Sequence, residues 1–473
     1  MNEMEKPYGF WSRKIVLYII AFLIVTIFVN WYLFHENFIP WPFIVCGFLV
    51  AAGYFMMLNK LLHKWLQLPE KDFIKRLFLS ALVIRVLAVV FFYFFFIAAT
   101  GIAFEYNPVD SLFYHRTAQK IADHFQQGDF QVMSYTAGIT FSDLGFNIYL
   151  GALYALFGPS LIITRLIAAG LSSLTVVLVY RIAKNIDATP LVTRTAGISA
   201  MLLPNFLVYL GSQLKETLMV FLITAFVYLT ITIIRNQKRS AMNIALLLSV
   251  LFSLFMIRTV LASIAVFTLA GYGAVSHPSK RRIINMAVTV LLLAGFGYII
   301  LHSQIGVEIA EFLSKAGTSQ SDNMRFRAER DFGNKYALMA GIPLFISIIL
   351  MAPFPSFVYV PFQEFIWLLV GGNFIRNIYA FFLIVGIVYS IRHNFRNASI
   401  LLFYAIGYLL VLASSPFAIS ERFHLPAVPG LLILAAIGIT HSTTHLRKYF
   451  SLYLFFIFLV ITGWNYIKLS GRL

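Results

Sequence analysis

Charge is what this sequence has least of. Of its 473 residues only 12% are charged, against 60% hydrophobic and 16% aromatic. Soluble domains carry roughly 25% charged residues. The chain cannot coat a water-facing globule, which excludes a soluble enzyme. Cysteine is almost absent too. The lone Cys46 permits no intrachain disulfide, and its apolar neighbours mark it as a packing residue. No Gly-rich nucleotide loop, P-loop, zincin helix, internal repeat or low-complexity segment occurs, and there is no long soluble stretch. Chemistry is therefore sought in loops and at helix ends.

What is present is hydrophobic length. Blocks such as 15–34 and 79–99 match the roughly 20 residues that cross a hydrocarbon core as a helix. The first block is full length and has no small-residue cleavage site after it, so it reads as a transmembrane helix rather than a signal peptide. Spans are expected near 15–34, 41–58, 77–100, 161–180, 195–212, 216–234, 241–257, 259–276, 283–302, 374–391, 398–415, 424–440 and 449–468, with 336–370 ambiguous. The fold class is an all-α polytopic membrane protein with about 13 (13–15) transmembrane helices.

The net charge of +17 would suggest nucleic acid in a soluble protein. In a membrane protein it is first a topology signal, and no nucleic-acid partner is expected. With the N-terminus inside, the cytoplasmic connections are 1–14, 59–76, 181–194, 235–240, 277–282, 392–397 and 441–448. They hold 21 of the 36 Lys and Arg but only five of the 19 acids. The segment 144–157 is apolar but short for a span. If it crossed, Arg181, Lys184 and Arg194 would move outside, so it is expected to lie at the interface without crossing. The outer face then carries loops 101–160 and 303–335 and short turns at 213–216 and 416–423.

In the first outer loop Pro108 breaks the preceding helix. Asp110 or Ser111 can cap the next one, an amphipathic helix ending near Gly128. Asp110, Tyr114 and Ala118 share one face. Asp110 reads either as an N-cap or as a carboxylate able to take a proton from an acceptor hydroxyl or amine.

This loop resembles the first extracytoplasmic loop of GT-C glycosyltransferases: an acid just after a transmembrane helix, Tyr114 one turn later, and then the short apolar helix 147–157. The bacterial branch related to dolichyl-phosphate-mannose protein mannosyltransferases and to the lipid A aminoarabinose transferase is the most similar. The likeness continues through Phe157-Gly158-Pro159-Ser160, Thr164-Arg165-Leu166, Val179-Tyr180-Arg181-Ile182-Ala183-Lys184, and Leu203-Pro204 leading to Tyr209, Ser212 and Glu216. It ends at Glu421-Arg422-Phe423-His424-Leu425-Pro426-Ala427-Val428-Pro429. It covers roughly 77–440, read as the catalytic module. Residues 1–76, with two additional spans, and 441–473, with a last one, flank it. Ser111 stands where a second acid is common.

The resemblance implies a GT-C-like bundle in the cell (plasma or inner) membrane, with its site on the extracytoplasmic face. The implied reaction moves a sugar from a polyprenyl-phosphate carrier to a glycan, lipid or protein acceptor, among membrane lipids. Asp110 and Glu216 are its implied catalytic acids, with Tyr114 and His115 beside the substrate. Lys215, beside Glu216, meets a lipid phosphate or is one half of a helix-end charge pair. Arg258 contacts a ligand or marks a tight outer turn. Arg325, Arg327 and Arg330 form either a phosphate-binding lid or a solvated helix with internal ion pairs. Arg422 and His424 precede a late helix, where Arg suits phosphate, although His424 reads equally as a packed histidine. No cofactor is certain. A divalent cation is left open if Asp110, Glu216 and Asp143 converge. Arg85, inside a span, needs a partner, and an outer-loop acid is one candidate.

Two rival readings remain. A polysaccharide polymerase or ligase would use a lipid-diphosphate donor. A lipid or solute transporter would use Arg85 and Arg165 as a pathway, but it lacks inverted repeats.

Overall fold

A computed structural model describes residues 13–106, 108–132, 141–236, 238–276, 351–359, 366–413 and 421–470. The described residues are helical throughout, apart from short connections and one isolated antiparallel bridge between Phe38 and Val358. The first element, α1 (Arg13–Thr26), passes through a π turn at Ile27–Trp31 into α2 (Tyr32–Phe34). Next come α3 (Trp41–Trp65), α4 (Glu70–Thr100), α5 (Val109–Gln126), α6 (Phe141–Phe157) and α7 (Leu161–Ile186). Then follow α8 (Pro190–Leu202), α9 (Pro204–Gly211), α10 (Glu216–Ile234), α11 (Ala241–Ile257) and α12 (Thr259–Ser276). After the undescribed stretch come α13 (Ile366–His393), α14 (Phe395–Leu401), α15 (Gly407–Ala413), α16 (Val428–His441), α17 (Thr444–Lys448) and α18 (Phe450–Ser470).

Ten of these helical segments are long and apolar enough to cross a membrane, the architecture of a polytopic α-helical membrane protein. The spans expected at 15–34 and 241–257 correspond to the shorter apolar helices Ile20–Phe34 and Ala241–Ile257. The one at 283–302 lies outside the described residues, as do 336–350 of the ambiguous stretch.

The bundle has two distinct ends. At one, Lys184 pairs with Glu70 at 2.5 Å, Asn394 donates to the Ile186 carbonyl at 2.8 Å, and Arg396 donates to the Ser276 carbonyl at 2.8 Å. These contacts join three of the connections that the charge pattern assigns to the cytoplasm and bring the end of α12 to them. At the other end, Arg165 in α7 donates to the Ala103 carbonyl at 2.7 Å. So α4 ends and α7 begins at the same end, and the intervening α5 and α6 make no net crossing. That is the arrangement the charge pattern requires of 144–157.

Helix packing sets the positions of these ends. In α13 and α16, Gly386 and Gly438 lie where an added Cβ would fall 1.9 Å from the Leu434 carbonyl oxygen and 1.8 Å from that of Phe382. Only glycine permits this backbone approach, the small-residue packing typical of membrane helices. Helix α4 stops at Gly101, whose φ of 77° suits a left-handed C-cap.

Arg85 is fully buried in α4, and an outer-loop acid is not its partner. Its Nε donates to the Ser172 hydroxyl at 2.7 Å, Nη2 to the Ala200 carbonyl at 3.2 Å, and Nη1 to those of Met201 at 3.3 Å and Ala81 at 3.4 Å. Pro204 explains this. It has no N–H to return to Ala200, so the ladder breaks between α8 and α9 and its carbonyls need another donor. Arg85→Met is expected to leave these acceptors open and to lower stability by several kcal/mol, at about 1–3 kcal/mol per unsatisfied group. Thermal unfolding of the purified protein in detergent measures it.

At the charge-rich end His441 Nε2 lies 2.7 Å from Asp187 Oδ2, with the Tyr389 ring stacked on the imidazole at 4.0 Å. Burial pushes the Asp187 carboxyl up, but hydrogen bonds from His441 and Thr189 outweigh it and hold it at about 2, below the ordinary 3.8. A depressed carboxyl stabilises the fold above its unfolded value, and the contribution disappears as pH falls through the folded one. Asp187→Asn is therefore expected to cost up to about 2 kcal/mol near pH 6, and the difference from wild type to vanish between pH ~4 and ~2. Unfolding midpoints across that range test it.

Candidate active site

The end opposite the basic connections gathers chain from five places: the start of α5, the start of α6, the turn between α9 and α10, the turn between α11 and α12, and the 3-10 turn Glu421–Ala427 before α16. Helix α5 begins at Val109, with Pro108 at its cap position and no side-chain cap. Asp110 is thus in the first turn and not an N-cap, which leaves its carboxylate for a distant partner. That partner is Arg422, whose Nη1 donates to Asp110 Oδ2 at 2.6 Å across 312 residues of sequence. The same guanidinium reaches Glu216, with Nε 3.8 Å from Oε1. Asp110, Glu216 and Arg422 therefore meet at one place.

Their exposures differ in a useful way. The side chains of Asp110 and Arg422 are 42% and 32% exposed, and that of Glu216 only 4%. Glu216 Oε2 has no partner among the described residues. It borders a small cleft with Ser172, Tyr209, Thr217 and Leu425. An accessible carboxylate thus faces outward while an enclosed one orients the arginine between them.

A second pair stands beside the first. Lys215 is buried, ion-pairs with Asp143, and donates to the carbonyls of Ser142 and Ile257 at 3.1 Å each. All three of its N–H directions are taken, so it clamps α6 to the end of α11. Burial lowers the Lys215 ammonium from its ordinary value, only partly opposed by Asp143. Tyr114, packed edge-on against Phe146, donates to Asp143 at 3.1 Å. Burial raises the Tyr114 phenol well above its usual range, and the charges of Asp143, Glu216 and Asp110 push it further up, so it remains a donor at neutral pH. Arg258, at the turn between α11 and α12, lies over the Phe423 ring at 4.8 Å, and Arg422 lies over the same ring at 4.8 Å. Tyr408 fixes the 3-10 turn Glu421–Ala427 by donating to the Phe423 carbonyl at 2.8 Å.

Compared with models of known protein families and with curated proteins, the sequence matches none.

The structure brings Asp110, Tyr114, Lys215, Glu216, Arg258 and Arg422 into this cluster. His115 points elsewhere on α5: its Nδ1 lies 2.8 Å from the Tyr154 hydroxyl, and Phe104 meets its ring edge-on. Burial, then Arg165 and Arg116, lower its pKa, which keeps the imidazole neutral at pH 7. His424 is fully enclosed, as a packed histidine would be. Arg325, Arg327 and Arg330 lie outside the described residues. Among the described residues no three His, Cys, Asp or Glu side chains gather to hold a metal. Asp110 and Glu216 share Arg422 while Asp143 takes Lys215, so the acids are neutralised by cations and not arranged as a ligand set.

In the sequence Asp143 offers itself only as a metal oxygen. The available signal was an acid in the first turn of an apolar helix, a place where a buried cation would find it.

Proposed function

We propose that this protein is an inverting GT-C-type glycosyltransferase that moves a sugar from a polyprenyl-phosphate carrier to a glycan, lipid or protein acceptor at the extracytoplasmic face of the cell membrane. The observation that carries this reading is the meeting of exposed Asp110 and enclosed Glu216 on one arginine, Arg422, at the end of the bundle away from the basic connections. The GT-C-like bundle of about 13 spans belongs to the same proposal.

In this mechanism the acceptor hydroxyl or amine gives its proton to Asp110. Its freed electron pair attacks the anomeric carbon from the face opposite the phosphate. The bond from that carbon to the phosphate oxygen breaks, and the electron pair leaves with polyprenyl phosphate. Positive charge near the leaving oxygen lowers the barrier, the contribution that usually dominates such catalysis. Arg422, paired with Asp110, and Arg258, over the same Phe423 ring, take this role. Glu216 acts as a positioning residue, holding the Arg422 fork while Asp110 exchanges its proton. No step is assigned to a metal, because the acids are already paired with cations.

The test is transfer by the full chain in sealed vesicles, given a polyprenyl-phosphate sugar or a polyprenyl-diphosphate sugar, reading the anomeric configuration of the product, the phosphates on the released carrier and any flux. An inverted linkage and a monophosphate carrier are expected. A diphosphate carrier would move the assignment to a polymerase or ligase, and substrate flux without turnover would make the protein a transporter.

A further inference from the structure

Arg165 sits in the second turn of α7 and is 1% exposed. Its Nη2 holds the Ala103 carbonyl, but Nε and Nη1 have no partner among the described residues. A guanidinium does not escape this by losing its proton, and enclosed donors left open are costly. The surrounding polar groups are committed to one another. Thr164 and Gln213 bond at 3.2 Å, His115 bonds Tyr154, and Ser111 donates to Glu105 Oε1. Glu105 is within electrostatic reach of Arg165, yet its Oε2 also has no partner, so the two form no ion pair.

Arg165 lines a pocket between α6, α7 and the start of α10. The pocket is narrow, with a cavity volume of about 20 Å³, room for an oxygen-sized group. Tyr149 lines it as well, and its buried hydroxyl also lacks a partner. Phe146, Leu171 and Leu214 supply apolar wall. Thr217 lines both this pocket and the cleft bordered by Glu216. The unsatisfied groups of Arg165 and Tyr149 are donors with a positive charge among them. Arg422 and Lys215, by contrast, are already matched with carboxylates.

We propose that Arg165 and Tyr149 form an anion subsite that takes an oxygen of a phosphate monoester borne by a lipid alcohol, with the apolar wall against the first carbons of its tail. The lipid character of this ligand rests on the transferase reading; the anion subsite rests on the open donors. The subsite holds an outer phosphate oxygen on the Arg165 side of Thr217, and leaves the bridging oxygen to Arg422 and the acceptor proton to Asp110.

Binding to the full chain in detergent is measured by calorimetry with three probes: farnesyl phosphate, farnesol and inorganic phosphate. Farnesyl phosphate is expected to bind at least ten-fold tighter than either of the others. Arg165→Gln is expected to weaken it by roughly 10–100-fold, the loss of a charge-assisted pair, and to leave farnesol binding unchanged. Tyr149→Phe keeps the ring packing and is expected to weaken it by roughly three- to ten-fold; it decides the matter if Arg165→Gln fails to fold. Farnesyl phosphate affinity unchanged in folded Tyr149→Phe and in any folded Arg165→Gln would overturn the subsite. Inorganic phosphate bound as tightly as farnesyl phosphate would overturn the lipid assignment. Turnover is a separate readout: absent transfer with Arg165-dependent binding sinks the transferase reading alone.

Discussion

Arg422→Gln is expected to cut transfer by about 10²–10³-fold and to destabilise the fold together, the largest combined effect of any single substitution at the site. The stability loss comes from Glu216. Its side chain is 4% exposed, and Arg422 is its nearest recorded ion partner at 3.8 Å. Removing one side of an enclosed pair strands the other charge at a cost of about 3–5 kcal/mol. The rate loss comes from the missing positive charge at the developing phosphate, about 10²–10³-fold by analogy with other preorganised donors. Lysine is not an adequate substitute, because a compact ammonium does not present a fork to two carboxylates at once. Arg422→Lys should therefore regain part of the stability and little of the rate. The double variant Arg422→Gln with Glu216→Gln separates the two effects. It removes the stranded charge, so unfolding midpoints should recover while transfer stays depressed. Wild-type turnover in a folded Arg422→Gln protein would end the case for this arginine.

Asp110→Asn is expected to behave differently, losing rate without losing stability. Asp110 is 42% exposed at its side chain, so its pair with Arg422 contributes in the range of surface ion pairs, about 0–1 kcal/mol. Asparagine keeps the shape but does not take the acceptor proton. Loss of a general base lowers turnover by about 10²–10⁴-fold. The combination of an intact melting profile, retained donor binding and depressed kcat is the signature of a lost proton acceptor, and it contrasts with the joint loss expected at Arg422. If Asp110→Asn folds normally and transfers sugar at full rate, Asp110 is not the base.

The site was partly legible in sequence because some of its signals are local. Asp110 after a span, Glu216 at the start of α10 and Arg422 before α16 each stand out as charges where hydropathy leads the reader to expect none. What local pattern did not convey is the partner of each. Lys215 looked available for a phosphate, yet α6 brings Asp143 to it. Arg85 looked as if it needed an acid, yet the proline break at Leu203-Pro204 supplies carbonyl oxygens instead. Arg165 was visible as a charge in an apolar helix, but that two of its donors remain open is a property of the packed bundle.

By itself the sequence determined the class of solvent this protein lives in, the positions of most spans among the described residues, and that the connections 59–76, 181–194 and 392–397 share an end. Those follow from the burial of apolar length in lipid and the bias of Lys and Arg toward one side, and both act segment by segment. Only the tertiary structure decided which acid meets which base. Asp110 and Arg422 are 312 residues apart, and their contact depends on how helices cross, down to the backbone approach at Gly386 and Gly438. The scarcity of charge makes that decision consequential, because in an apolar bundle each enclosed ionic group must find a partner or leave an opening for one.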